Sequence, residues 1–412
     1  MHRVSRFALA AGPIFAALML AGTAASADGT PDDMAAEQSA GQWTAAFSSQ
    51  AQYYSWESTR GYPAAGTTTD ADGSQLSIPV ALQLTDRATD ALTLEFMLRS
   101  GYLRSSQSTG GVTSTTSGFT DTSVGITASY SGLDGFQPFL SLNTNLPTGN
   151  EKSAGGPSNT DPDVVAVATT GEGFNGGVST GANIPLTETL IASVGGGYTY
   201  RGSYDTTALG NLDPGDTYTL NLGIGYQGES STTQAQLAFT GETETELNGA
   251  PYYQSGGSVA ATLGTSYSWN DAIASRANIA FSHYEKNRVA PSGLPYLVDE
   301  AFNSNSNVFQ IDIDTIYSGE VFSIGPTVGF LHRDHNAWSS DEIQFVPAKT
   351  RWSVGLTGQY ALTETLVLSA AASRIWVNQN ESPDKTALGP GSGIPEIKTD
   401  AWLATVGASW QF

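Results

Sequence analysis

Apolar residues in this chain recur at every second position over most of its length. Leu76, Ile78, Val80, Leu82 and Leu84 alternate with Ser77, Pro79, Ala81, Gln83 and Thr85. Leu92, Leu94, Phe96 and Leu98 alternate with Thr93, Glu95, Met97 and Arg99, and Tyr218, Leu220, Leu222, Ile224 and Tyr226 with Thr219, Asn221, Gly223 and Gly225. A period of two puts the sets on opposite faces of a strand. The pattern predicts sixteen strands, over 41–56, 76–86, 91–104, 118–131, 136–147, 175–186, 190–202, 216–228, 231–244, 255–269, 272–285, 306–318, 321–333, 348–361, 364–378 and 398–412.

The links between them alternate too. Short turns ("TDRATD", "SGLDG", "LTET", "GESS", "WNDA", "SGE", "ALTET") are interleaved with longer polar stretches at 57–75, 105–117, 148–174, 203–215, 245–254, 286–305, 334–347 and 379–397. Seven short turns and eight long loops are the layout of an all-β, transmembrane antiparallel barrel of about 16 strands, with short periplasmic turns and long extracellular loops. Two segments read less cleanly. Parity blurs through "LSAAASRIWV", where either a bulge intervenes or Arg374 points outward to the headgroups, and Pro326 belongs at a bulge or a weakly paired position. Fourteen or eighteen strands therefore stay open.

The apolar parity carries aromatic rings at both ends. Trp43, Tyr226, Trp269, Tyr360, Trp410 and Phe412 fall near the periplasmic ends, and Tyr200, Tyr218, Trp352, Trp376 and Trp402 near the opposite ends. Amphipathic rings favour the two membrane–water interfaces. Within a bilayer only a closed sheet satisfies every strand's backbone groups, so embedding forces closure.

Composition sharpens this picture. Only 14% of the 412 residues are charged, 46 are Gly and none is Cys, so neither disulfides nor a Cys-based zinc site can form. His2, Arg3 and Arg6, the apolar run Phe7–Leu20 and the small residues Ala25-Ser26-Ala27 read as a secretory leader over 1–27. A short periplasmic segment, 28–40, then precedes the barrel at 41–412, which leaves no room for a globular plug. Beyond residue 27 no apolar run reaches the ~20 residues of a membrane helix. The formal charge of −22 becomes more negative when Arg3 and Arg6 leave with the leader, which argues against nucleic-acid binding.

Two resemblances follow. The final run "AWLATVGASWQF", with Trp410 and Phe412 on one face, resembles the assembly signal of Gram-negative outer-membrane proteins. That implies the assembly machinery as a partner and the outer membrane, with its lipid and lipopolysaccharide, as the location. Charged residues appended after Phe412 are expected to lower the yield of folded barrel more than the same residues inserted in 379–397, as measured by heat-modifiable gel migration. Equal yields would remove the signal. "SGFTDTSVGITASYSGLDGFQPFLSLNTNLPTGNE" is similar to the strand–turn–strand core of the MetA-pathway phenol-degradation family of outer-membrane transporters, through the G-x-x-D at Gly118–Asp121 and the L-P-T-G at Leu146–Gly149. This match covers about a third of the chain and implies passage of a small aromatic or hydrophobic solute. The motif has a plainer reading as well: Pro147 stops a strand and Gly149 allows a sharp turn.

Inward parity selects Glu95, Arg99, Arg201, Glu242, Arg276, Asp312, Asp314 and Arg351 as pore-lining candidates. The longest loop, 148–174, carries Glu151, Asp161, Asp163 and Glu172. In loop order and length it resembles the inward-folded third loop of sixteen-stranded general porins, whose acids face arginines across a constriction. Opposed charge across a narrow lumen orients dipolar solutes and sets ion selectivity. The competing reading makes these residues solvated wall and surface-loop groups.

An enzymatic reading is weaker. His332, Asp334 and His335 in "HRDH" are metal- or base-competent types, but His332 falls on the lipid-facing parity. Ser282 and His283 are strand neighbours and point to opposite faces. No cofactor or metal is expected. The leading expectation is a porin-like channel passing small solutes. A non-conducting adhesion or envelope-structural barrel and an outer-membrane lipase- or protease-type enzyme are the alternatives.

Overall fold

Sixteen antiparallel strands pair in chain order, and the last pairs with the first. The computed structural model describes residues 43–62, 67–149, 163, 171–206, 210–291 and 295–412, with backbone alone at 60–62 and 67–69. The leader, the 28–40 segment, Glu151 and Asp161 lie outside the described residues.

The strands are β1 (Trp43–Tyr62), β2 (Thr67–Arg87), β3 (Leu92–Thr109), β4 in two pieces (Val112–Phe119 and Thr122–Tyr130), β5 (Gln137–Leu146), β6 (Asn175–Pro185), β7 (Leu190–Arg201) and β8 (Thr217–Gln227). They continue as β9 (Ser231–Glu242), β10 (Ser258–Asn270), β11 (Ile273–Tyr284), β12 (Val308–Ser318), β13 (Phe322–Arg333), β14 (Lys349–Ala361), β15 (Leu366–Gln379) and β16 (Ile397–Gln411). Backbone bonds between Ala45 and Phe412 in both directions fasten the seam at one rim. Around the barrel each of the sixteen strands has a neighbour on both sides, which is what a bilayer demands.

Two of the eight expected long loops are strand instead. Residues 57–62 belong to β1 and 67–75 to β2, strands of 20 and 21 residues, about twice what a membrane crossing needs. Residues 105–117 form a β3–β4 hairpin closed by Gly110 and Gly111, both at positive φ as a tight two-residue turn requires. Above the membrane both faces of a hairpin are wet, so the alternation that marks a strand fades into runs such as "SSQSTGGVTSTTSG".

Arg374 resolves the blurred segment. The β15 register runs without a shift, and Arg374 lies opposite Trp402 on the outward face, with its guanidinium 4.8 Å from the Trp402 ring and its charge paired to Asp400. Pro326 sits where the β12–β13 pairing lapses between Asp314↔Thr327 and Tyr317↔Ile324, so its missing N–H leaves no gap in a ladder there. Three neighbouring loops between β7 and β12 rise beyond the wall and zip into a second small sheet through 210–213 with 245–247 and 250–254 with 288–289. Arg288 ties it together, facing Glu244 at 3.6 Å and Asp299 at 3.7 Å.

Candidate functional site

The inward faces of β13 and β14 end in cations. Arg333 and Lys349 are direct cross-strand partners, and Leu331 is the partner of Arg351 one step down. Three like charges on adjacent strands repel one another, so the arrangement needs a counter-charge. Asp163 of the longest loop supplies it. Arg333 donates to the Asp163 carboxylate through Nε at 2.9 Å and through a terminal nitrogen at 2.5 Å, in the fork geometry that suits guanidinium and carboxylate. Lys349 Nζ contacts the same carboxylate, and Arg351 donates to the Asp163 backbone carbonyl. The Asp163 side chain is 9% exposed. Burial pushes its carboxyl up, but the hydrogen bonds and charges of Arg333 and Lys349 outweigh that and hold it down at about 2.

The loop that bears Asp163 starts after β5 and returns at β6. In a ring of sixteen, β13 and β14 lie eight strands further round, on the opposite wall. Asp163 is therefore fixed to the side of the barrel farthest from the strands that flank its own loop.

The base of that loop is held by Asp121, in the break between the two pieces of β4. Asp121 is 6% exposed. Its Oδ1 accepts the backbone N–H of Gly149 at 2.7 Å and of Gly171 at 3.1 Å, while Oδ2 accepts Glu172 N–H and the Asn145 amide, both at 3.1 Å. One carboxylate thus joins the chain leaving the wall to the chain returning. Thr148 adds a hydroxyl accepting Thr122 N–H at 2.9 Å. Gly149 is needed for close approach, since a Cβ there would stand 2.6 Å from Asp121 Oδ1 and 2.8 Å from Gly171 N. The G-x-x-D and L-P-T-G stretches are two halves of a single clamp.

The remaining candidates spread over the wall. Arg276 pairs with Asp314 at 3.0 Å, and Asp312 accepts the Gln310 amide. Glu172 faces Arg201 at 3.6 Å. The register sets Glu95 beside Thr85 and Thr127, Arg99 beside Ala81 and Ser123, and Glu242 beside Thr217, all on the inward parity. Beside Arg351 stands Val377, the start of an inward apolar group with Tyr54, Trp56, Ile375 and Ala401. These residues are 1–7% exposed, so they pack against protein and offer no surface to a solute.

Sequence parity did not single out Arg333, Lys349 or the inward apolar group. Lys349 and Arg351 share a face by spacing alone, and that was the available signal. In "HRDH", His332 is on the outward face, opposite Thr350, with Nε2 3.4 Å from Asp334. No group of three metal-ligating side chains is assembled among the described residues.

The outward face carries the membrane signature. Leu220, Leu222 and Ile224 are exposed between Tyr218 and Tyr226, and Val354 and Leu356 between Trp352 and Tyr360. An exposed apolar belt between two aromatic bands, on a closed sheet of even strand number, has one solvent that suits it. The chain is a transmembrane β-barrel of the outer-membrane type. No family signature matches it, and no curated protein does. Among solved structures it is similar to an outer-membrane channel from Pseudomonas putida F1, with 16% identity over 60% of this chain and 90% of that one and a TM-score of 0.39. It is also similar to the P. putida toluene transporter TodX (11% identity, 89% and 90% coverage, TM-score 0.43) and to a Pseudomonas aeruginosa FadL homologue (10% identity, 89% and 90% coverage, TM-score 0.44). At these identities and scores the likeness fixes neither a family nor a substrate.

Proposed function

We propose that this barrel is a passive outer-membrane channel for small solutes, narrowed by its third long loop. The observation that carries the reading is Asp163, held against the far wall by Arg333, Lys349 and Arg351. A barrel of sixteen strands is wide enough to leave an aqueous path. Charged groups at several heights of the wall, Glu95, Arg99, Arg276, Asp312 and Asp314 among them, suit a water-filled interior better than a packed one. Arg351 meets Asp163 as one side of the constriction, and Arg201 meets Glu172 of the same loop. The finer reading, a small aromatic or hydrophobic solute, rests on the phenol-degradation resemblance at Gly118–Asp121 and Leu146–Gly149.

Liposome swelling with sugars, amino acids and aromatic acids tests the channel, and swelling by at least one class is expected. No permeability to any solute removes this reading in favour of a structural barrel. Deleting residues 152–170 is expected to raise single-channel conductance. An unchanged conductance removes the constriction while leaving the channel.

A further inference from the structure

The "HRDH" stretch is not used by the channel, and it belongs to a larger arrangement on the outer wall. On four consecutive strands, an outward aromatic has a hydrogen-bonding residue two positions nearer the extracellular rim. His283 stands over Phe281, Asn307 over Phe309, His332 over Phe330 and Thr350 over Trp352. Residues two apart on a strand share a face, so the four polar groups form one row above the four rings. The rings touch, Phe309 to Phe330 at 6.4 Å and Phe330 to Trp352 at 4.6 Å between centroids.

The polar row is continuous as well. His283 Nδ1 meets Asn307 Oδ1 at 2.8 Å, and Asn307 Nδ2 donates to Asp334 Oδ2 at 3.1 Å. Asp334 Oδ1 lies 3.4 Å from His332 Nε2, and His332 Nδ1 meets Thr350 Oγ1 at 3.0 Å. Above the row opens a cavity of about 460 Å³, lined by His283, Asn305, Asn307, Asp334, His335 and neighbouring residues.

The geometry points to a glycolipid site on the outer wall of β11–β14, with acyl chains against the four rings and a sugar headgroup in the cavity. The cavity's chemistry favours hydroxyl donors. An amide oxygen is the partner of His283 Nδ1, and the Asn336 backbone carbonyl is the partner of His335 Nδ1 at 2.7 Å. Both imidazoles therefore use Nδ1 as donor and, when neutral, leave Nε2 as an acceptor. Neither Nε2 has a hydrogen-bond partner among the described residues. The Asn305 amide nitrogen is spent on the Glu285 carbonyl and Asn287 Oδ1, which leaves its oxygen. Asp334 adds a carboxylate, and no Lys or Arg is among the described lining residues. A surface rich in acceptors and carrying a negative group suits neutral or amino sugars and disfavours phosphate. The ring band directly below places the source of that sugar in the outer leaflet.

The test titrates the detergent-solubilised full chain with lipopolysaccharide bearing core sugars, with lipid A lacking them, and with the deacylated core oligosaccharide. Core-bearing lipopolysaccharide is expected to bind about tenfold more tightly than lipid A, the worth of one or two neutral hydrogen bonds. The double substitution His283→Ala, Asn305→Ala should abolish that difference, while Trp352→Ala weakens both lipids alike. The free oligosaccharide should compete only at far higher concentration. Equal binding of the two lipids, or a preference that survives the double substitution in a barrel still heat-modifiable on gels, overturns the sugar site. Competition by the free oligosaccharide as effective as that by the whole lipid overturns the lipid source. Binding is read without any conductance measurement, so the channel proposal stands or falls separately.

Discussion

Replacing Asp121 with alanine is expected to free the base of the 148–174 loop while leaving the barrel closed. Four donors converge on this single carboxylate: three backbone N–H groups and the Asn145 amide. Removing it leaves those donors without an acceptor at a site that is 6% exposed. Each unsatisfied buried donor costs ~1–3 kcal/mol, and water recovers part of that at the rim, so the local loss should be on the order of 3–5 kcal/mol. The wall itself loses no ladder bond, because Asp121 sits in the break of β4.

Asp121→Asn is the sharper variant. It preserves shape, but only one of the two head atoms still accepts, and its NH₂ group faces donors. About half the effect of alanine is expected. Gly149→Ala should act in the same direction, because its Cβ would press on Asp121 and the Gly171 nitrogen. Proteinase K digestion of reconstituted barrels, with cleavage sites mapped by mass spectrometry, reads the outcome. Faster cutting confined to 148–174, with heat-modifiable migration retained, is expected. If Asp121→Ala is cut no faster than the native chain, the clamp has no mechanical role.

How much of this was legible in the sequence depends on what surrounds each residue. Where lipid is on one side and water on the other, the two faces of a strand differ, and the alternation at Leu92–Leu98 or Tyr218–Tyr226 gives position and parity together. Above the membrane that contrast disappears, which is why the tops of β1 to β4 read as loops. Gly110-Gly111 was the remaining hairpin signal. Parity was also weak where alanine and serine fill both faces, as around Arg374, because neither side chain prefers lipid strongly. The clamp was visible as two motifs but not as one object. Its contacts join residues 24 to 51 positions apart, and a carboxylate that accepts backbone N–H groups leaves no partner identity in the sequence. The Asp163 contacts span 170 residues or more, and no periodicity reports them.

Acidification is expected to undock Asp163, and the direction follows from its depressed carboxyl. With the loop docked, Asp163 is held at about 2, against 3.8 for an unperturbed aspartate. A depressed carboxylate contributes stability that is complete above the undocked value and is lost as pH falls through the docked one. The docked arrangement should therefore be constant from neutral pH to about pH 5, weaken below 4 and be largely lost near 2. The shift corresponds to roughly 2.5 kcal/mol, or about a sixtyfold change in the ratio of docked to free. The wall carries other carboxylates, Glu95, Asp312 and Asp314 among them, so an acid response of the native channel alone decides nothing. Asp163→Asn separates the two. It removes the charge at every pH and takes one negative charge from beside Arg333, Lys349 and Arg351. At pH 6 the variant should already show the higher, noisier single-channel conductance that the native chain reaches only near pH 2. Its reversal potential in a salt gradient should shift toward anions. Pairing it with Arg333→Gln should give a combined effect smaller than the sum of the two, because each substitution removes the same contact. If the variant matches the native channel in conductance and selectivity at pH 6, Asp163 does not stand in the path of the solute.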